Sequence, residues 1–156
     1  MRDVVLRRDL KEKLRFSGDT GIILGSGLGR LADALHDKIS IPYKNIESFP
    51  VSTVSGHNSD FVSGFYDNTQ LILARGRFHL YEGFDIDTII LPIRVFNELS
   101  VKNIIITNSS GSMKIINVPG TPMIIDGHYD CTFRSDFSIP ILKEGEEYYN
   151  SKMISR

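Results

Sequence analysis

Gly21-Ile22-Ile23-Leu24-Gly25-Ser26-Gly27-Leu28-Gly29 passes from an apolar run with the character of a buried strand into a turn with glycine at every second position. A helical stretch, Arg30 to His36, is expected to follow. Strand, glycine turn and helix in this order belong to an open α/β sheet that places its ligand at strand carboxyl ends. Gly25, Gly27 and Gly29 let backbone approach a ligand closely, Ser26 adds a hydroxyl, and the following helix offers free N–H groups. These features suit an anion. The competing reading is a tight strand-to-helix turn that needs glycine for steric reasons alone. A dinucleotide fingerprint fits poorly, because Arg30 stands at its third glycine and no acidic residue ends a following strand at the required spacing.

Outward from this turn, the same alternation of strands and helices continues. Asp3 to Phe16 reads as a polar helix that ends at Ser17-Gly18-Asp19, with Gly18 supplying a left-handed residue. Phe61 to Tyr66 and Gln70 to Arg75 read as a hairpin across Asp67-Asn68-Thr69. Ile86, Ile89, Ile90, Ile93, Phe96 and Leu99 recur at helical steps, with Asp85 or Asp87 as N-cap and Pro92 kinking the helix or delaying its regular start. Asn103 to Thr107 is a further buried strand, ending in Asn108-Ser109-Ser110-Gly111, and Met123 to Asp126 another. The 156 residues are read as a single α/β domain.

Composition removes several classes of function. With 18 Lys+Arg against 19 Asp+Glu the net charge is -1, so no bulk electrostatic case exists for nucleic acid or an anionic membrane surface. Any anion has to be held by a local site. Thr88 to Val101, the most apolar stretch, is interrupted by Pro92, Arg94, Asn97 and Glu98 and is too short and too polar to cross a bilayer. Cys131 has no partner for an internal disulfide, and MRDVVLRRDLKEKLRF lacks the apolar core of a signal peptide, so a cytoplasmic location is expected.

The densest polar cluster is Arg75-Gly76-Arg77-Phe78-His79-Leu80-Tyr81-Glu82-Gly83, directly after the apolar run Leu71-Ile72-Leu73-Ala74. If the strand continues, Arg77, His79 and Tyr81 share one side. An Arg and a His on one face can clamp an oxyanion, the guanidinium by a two-pronged contact and the imidazole as a donor or proton partner. The competing reading is a solvated strand end with an Arg–Glu82 ion pair. His57 lies in a run of small polar residues, Thr53 to Ser59, suited to moving over a ligand, the competing reading being an ordinary surface loop histidine. His36 reads as a helix-end residue aligned with the dipole. His128 behind Asp126 does not make a metal site, and Cys131 lacks an activating neighbour.

The segments in order, Gly25-Ser26-Gly27-Leu28-Gly29, Phe49-Pro50-Val51-Ser52-Thr53-Val54-Ser55-Gly56-His57, Gly76-Arg77-Phe78-His79-Leu80-Tyr81-Glu82-Gly83 and Thr107-Asn108, resemble the trimeric purine nucleoside phosphorylases. The resemblance runs from about Gly21 to Asp126 and fades beyond; methylthioadenosine phosphorylases are less similar at the glycine turn and the Arg-Phe-His segment. It implies a three-layer α/β/α fold with a mixed central sheet, incomplete at the C-terminus. It also implies that Ser26, Arg77, His79 and a backbone N–H at Ser109 hold orthophosphate, that His57 closes the phosphate end, and that Tyr81 contacts ribose. His79 and His57 would be the catalytic pair. The reaction implied is phosphorolysis of purine ribonucleosides such as inosine and guanosine, with phosphate as co-substrate and no metal or organic cofactor. A homotrimer, or completion by another chain, is implied as the assembly, and the base-binding residues belong to a portion this sequence lacks. Two departures stand out: the family's Asn-Ala-Ala-Gly is Asn108-Ser109-Ser110-Gly111 here, and its next glycine is Ser112.

Overall fold

Thr20–Leu24 forms β1, the strand around which the sheet assembles. Its backbone pairs in parallel on one side with β4, Thr69–Arg75, and on the other with β5, Asn103–Ile106. Two antiparallel strands extend the β4 side: β3, Asp60–Tyr66, and β2, His36–Pro42. The order β2-β3-β4-β1-β5 makes a mixed five-stranded sheet. A computed structural model describes residues 3–47, 49–50, 59–125, 127–129 and 152–154; for 3–8, 127–129 and 152–154 the backbone alone is described.

Period-2 alternation sorts the side chains of the sheet onto two faces. Ile23, Phe61, Ile72 and Ala74 point to one, where they meet Leu10 and Leu14 of α1, Asp3–Leu14, and Val95 and Phe96 of α3, Leu91–Glu98. Ile22, Leu24, Val62 and Leu73 point to the other, against Ala32 and Leu35 at a 3-10 helix, Gly29–Ala34. Tyr43 sits in an aromatic group with Phe49 and Phe61, each with ring centroids at 4.9 Å from it, and with Phe78 at 5.8 Å.

The helix expected from Ile86 to Leu99 forms in two pieces, α2, Ile86–Ile89, and α3. Asp85 is the N-cap, accepting from the Thr88 N–H at 2.8 Å, and Pro92 lies in the first turn of α3, where its missing N–H costs nothing. The hairpin also forms, with a tighter turn than the one read: Thr69 joins the second strand opposite Tyr66, and Asp67 takes a positive φ of 49°.

Other local expectations change. At the end of α1 the left-handed residue is Arg15, with φ 47°, not Gly18. Gly18 is needed for proximity instead, since a Cβ there would lie 2.4 Å from the Gln70 carbonyl oxygen. The helix after the glycine turn is a 3-10 segment that ends at Ala34, and His36 opens β2, so it caps no helix. His36 braces β2 against the hairpin: Nε2 lies 3.0 Å from the Asp67 carbonyl oxygen, Nδ1 3.2 Å from Asp37 Oδ2, and the ring stacks on Phe65.

The hydrogen bond to Asp37 comes first, and the Asp67 carbonyl second, in raising the His36 pKa above its ordinary 6.5. A histidine held in this way adds stability that is complete below about pH 6.5 and is lost as pH rises through the raised folded value. His36→Gln is therefore expected to flatten the pH dependence of the melting temperature above about pH 6.5, measured against the parent chain.

The chain divides into two compact units, Met1–Gly111 and Ser112–Arg156. The sheet and helices above lie in the first. In the second, β6, Gly127–Tyr129, pairs in parallel with β7, Lys152–Ile154. The strand expected over Met123 to Asp126 does not form across 123–125, which has no ladder partner among the described residues, and Asp126 is outside them. No helix among the described residues is long and apolar enough to cross a membrane.

Candidate functional site

Three parallel strands, β4, β1 and β5, end at one level, with Leu24 opposite Arg75 and Ile23 opposite Ile106. The glycine turn leaves β1, the Arg77–His79 segment leaves β4, and Thr107-Asn108-Ser109 leaves β5, all at the same carboxyl edge. This is where open α/β sheets place their ligands.

The turn after β1 is stitched to the exit of β5. The Thr107 hydroxyl accepts from the Gly25 N–H at 2.9 Å and donates to the Ile23 carbonyl at 3.0 Å. The Ser109 hydroxyl donates to the Ser26 carbonyl at 2.7 Å. The glycines here have separate reasons. A Cβ on Gly25 would lie 2.5 Å from the Thr107 carbonyl oxygen, and Gly27 has φ +83°. Gly29 carries neither constraint, because a Cβ there would meet nothing within 4 Å.

Ser26 is exposed on this turn. The helix behind it is a six-residue 3-10 segment without a side-chain cap, too short for a large dipole. Attraction for an anion has to come from the turn's own backbone and from the neighbouring strand end.

At that strand end, β4 stops at Arg75 instead of continuing, and Gly76 turns the chain with φ +87°. Phe78 then inserts into the aromatic core, 5% exposed, which leaves Arg77 and His79 half-buried on either side of it. Arg77 has no carboxylate partner among the described residues, whereas Arg75 holds Asp60 and Arg94 holds Asp87. The Arg–Glu82 ion pair of the competing reading does not form. Glu82 lies instead 2.5 Å from His79 Nδ1, across the short 3-10 helix Leu80–Glu82. With Nδ1 engaged, Nε2 is the imidazole atom free to meet a ligand. The Tyr81 ring, 83% exposed, stacks on His79 with centroids 4.7 Å apart.

Of the sequence-derived candidates, Ser26, Arg77, His79, Tyr81 and Ser109 thus lie on segments leaving one sheet edge. His57 is outside the described residues, as is Cys131, and of His128 only the backbone is described. Among the described residues no group of His, Cys, Asp and Glu is placed to hold a metal ion. Two features went unread in the sequence: the His79–Glu82 pair, signalled by its three-residue spacing ahead of Gly83, and the Thr107 hydroxyl, for which no local pattern gives a sign.

Ser109 also yields a prediction. Its hydroxyl serves the turn, while its backbone N–H is unchanged by truncation, so Ser109→Ala is expected to weaken orthophosphate binding no more than about threefold in a thermal-shift titration.

Comparison with known proteins agrees with this fold. The phosphorylase superfamily model matches residues 19–154. Purine nucleoside phosphorylase 1 of Geobacillus stearothermophilus is 45% identical over 119 residues, covering 76% of this chain and 43% of that protein. Its counterpart in Bacillus subtilis is 40% identical, over 76% and 44%. Among solved structures, a purine nucleoside phosphorylase in complex with ribose-1-phosphate superposes with a TM-score of 0.66 at 38% identity, covering 74% of this chain and 42% of that one. The Schistosoma mansoni enzyme in complex with inosine gives 0.65 at 36%, over 74% and 40%. The chain spans less than half the length of these relatives. With a family model that extends over most of its residues, the chain belongs to the phosphorylase superfamily, and the relatives it matches there are purine nucleoside phosphorylases.

Proposed function

We propose that this chain works in the phosphorolysis of purine ribonucleosides, of the inosine and guanosine class, to free base and ribose 1-phosphate. Ser26, Arg77, His79 and the Ser109 backbone N–H hold orthophosphate, His57 closes that end, and Tyr81 lies against the ribose. The observation that carries the reading is the half-buried Arg77, without a carboxylate partner among the described residues, at the edge where the glycine turn and the Ser109 segment also emerge. A guanidinium in that state is ready for a two-pronged contact with an oxyanion. Relatives solved with inosine and with ribose-1-phosphate support the substrate class.

The chemistry follows from placement. Phosphate oxygen attacks the anomeric carbon while the bond from that carbon to the purine nitrogen breaks, and the base leaves with the bonding pair and takes up a proton. Arg77 and the backbone donors align the anion, whose charge stabilises the positive character developing on the ribose. His79, oriented by Glu82, presents Nε2 as a hydrogen-bond or proton partner of the phosphate, with His57 as the second catalytic histidine. Orthophosphate is a co-substrate, and the proposal requires no other cofactor. The chain is taken as one α/β domain corresponding to the N-terminal portion of such an enzyme, working in the cytoplasm as a homotrimer or completed by another chain.

A second reading, a truncated non-catalytic member that binds phosphate or associates with another chain, is favoured by one feature. Ile104, Ile105 and Ile106 of the edge strand β5 are 42%, 50% and 61% exposed, an apolar edge of the kind that other chains cover. Hypoxanthine release from inosine separates the two. Release that requires phosphate, with matching ribose 1-phosphate, supports the enzymatic reading. No release at high protein concentration, while phosphate still raises the melting temperature, sinks it in favour of the second.

A further inference from the structure

The end of β4 is held by a partly buried polar cluster that the proposed chemistry does not use. Asp60, 5% exposed, opens β3 directly opposite Arg75 in the antiparallel ladder. Arg75 donates from Nε to Asp60 Oδ1 at 2.6 Å and from Nη2 to Oδ2 at 2.5 Å. The Ser40 hydroxyl of β2 donates to Oδ2 at 2.5 Å. One residue on, the Tyr43 hydroxyl donates to the Gly76 carbonyl at 3.3 Å. Burial first, then the Asp60 charge, push the Tyr43 pKa well up, so the phenol keeps the proton it donates. Gly76 itself is confined, since a Cβ there would lie 2.9 Å from Ser59 Oγ.

An ion pair with a buried carboxylate and a half-buried guanidinium is a weak source of stability compared with apolar residues of the same volume, so its presence here calls for another reason. Its location supplies one. β4 gives way at Gly76 to the turn that presents Arg77, and the chain on either side is pinned, residue 75 through its side chain and residue 76 through its carbonyl. Phe78 anchors the far side of Arg77 in the core.

We propose that Asp60 is a positioning residue: its two-point hold on Arg75, with Ser40 fixing the carboxylate, sets the path of the Gly76–Arg77 turn and hence the aim of the Arg77 guanidinium. This rests on the reading of Arg77 as an orthophosphate ligand. Asp60 touches no substrate; it acts through Arg75 and the backbone.

The experiment compares the parent chain with Asp60→Asn by orthophosphate titration and by backbone amide NMR. The expected result is about tenfold weaker orthophosphate binding by the folded variant, with the Gly76 and Arg77 amides shifted more than those of β1 or β5. A purely structural role would lower the melting temperature yet leave both readouts at parent values. Unchanged or tighter binding with unmoved Gly76 and Arg77 amides overturns the proposal. If Asp60→Asn does not fold, the neutral pair D60N/R75Q leaves no unpaired buried charge, and the same weakening and shifts are expected of it. Should the parent chain bind no orthophosphate, the functional reading fails, while the amide shifts still decide whether Asp60 sets the turn.

Discussion

Gly25→Ala is expected to lower the stability of the chain by about 3 kcal/mol and to remove its response to orthophosphate. The added Cβ would lie 2.5 Å from the Thr107 carbonyl oxygen and 2.7 Å from Asn108 Cα. Both are backbone atoms of the β5 exit, so relief requires β1 and β5 to move apart or the turn to shift. Either movement breaks the Gly25–Thr107 and Ser109–Ser26 hydrogen bonds that join the two segments. On a domain whose total stability is about 5–15 kcal/mol this is a large fraction, on the order of 10 °C in melting temperature. Gly29→Ala is the matched control. A Cβ there meets nothing within 4 Å, and a change within about 0.5 kcal/mol is expected from the same melting curves.

Arg77→Gln separates binding from folding. Its guanidinium is half-buried without a carboxylate partner among the described residues, so its removal strands no buried anion there and should shift the melting temperature little. Orthophosphate binding should fall by about a hundredfold or more, as expected for loss of a charge-assisted, two-pronged contact at the anion. Arg77→Lys should recover only part of that loss, because a single ammonium cannot reproduce the fork. Arg94→Gln is the control for net charge: its partner Asp87 is on the surface, and binding should remain near the parent value. Equal losses in Arg77→Gln and Arg94→Gln would mean that bulk charge, and no built site, attracts the anion.

What could be read in the sequence and what could not divide along a physical line. β1, the hairpin, the Asp85 cap and the delayed helix at Pro92 are local, each set by periodicity or a terminus signal within a few residues. β2 was missed because His36-Asp37-Lys38-Ile39-Ser40-Ile41-Pro42 carries polar residues on a strand whose place is decided by pairing with β3, a non-local event. Arg15 in place of Gly18 as the left-handed residue is likewise non-local, since Gly18 is held against the Gln70 carbonyl, whereas 123–125 is exposed and forms no ladder among the described residues.

The site divides in the same way. Ser26, Arg77 and His79 are legible as candidates because the glycine-rich and Arg-Phe-His patterns are compact in sequence, whereas Ser109 enters only through the resemblance. The contacts that fix them, Glu82 on His79, Thr107 on Gly25 and Asp60 on Arg75, depend on register between strands or on a turn of unpredicted type. The Arg–Glu82 pair of the competing reading is absent for that reason. Once Gly76 breaks the strand and a 3-10 turn follows, Glu82 comes round to His79.

The central claim is that three strand ends form one orthophosphate site, and amide-resolved NMR during an orthophosphate titration tests it most directly. The account predicts that Ser26 and Gly27, Arg77, and Ser109 shift together along one saturation curve, which chloride at equal ionic strength does not reproduce. Shifts that never saturate by about 10 mM phosphate, or that scatter over surface lysines with these segments unmoved, would contradict it.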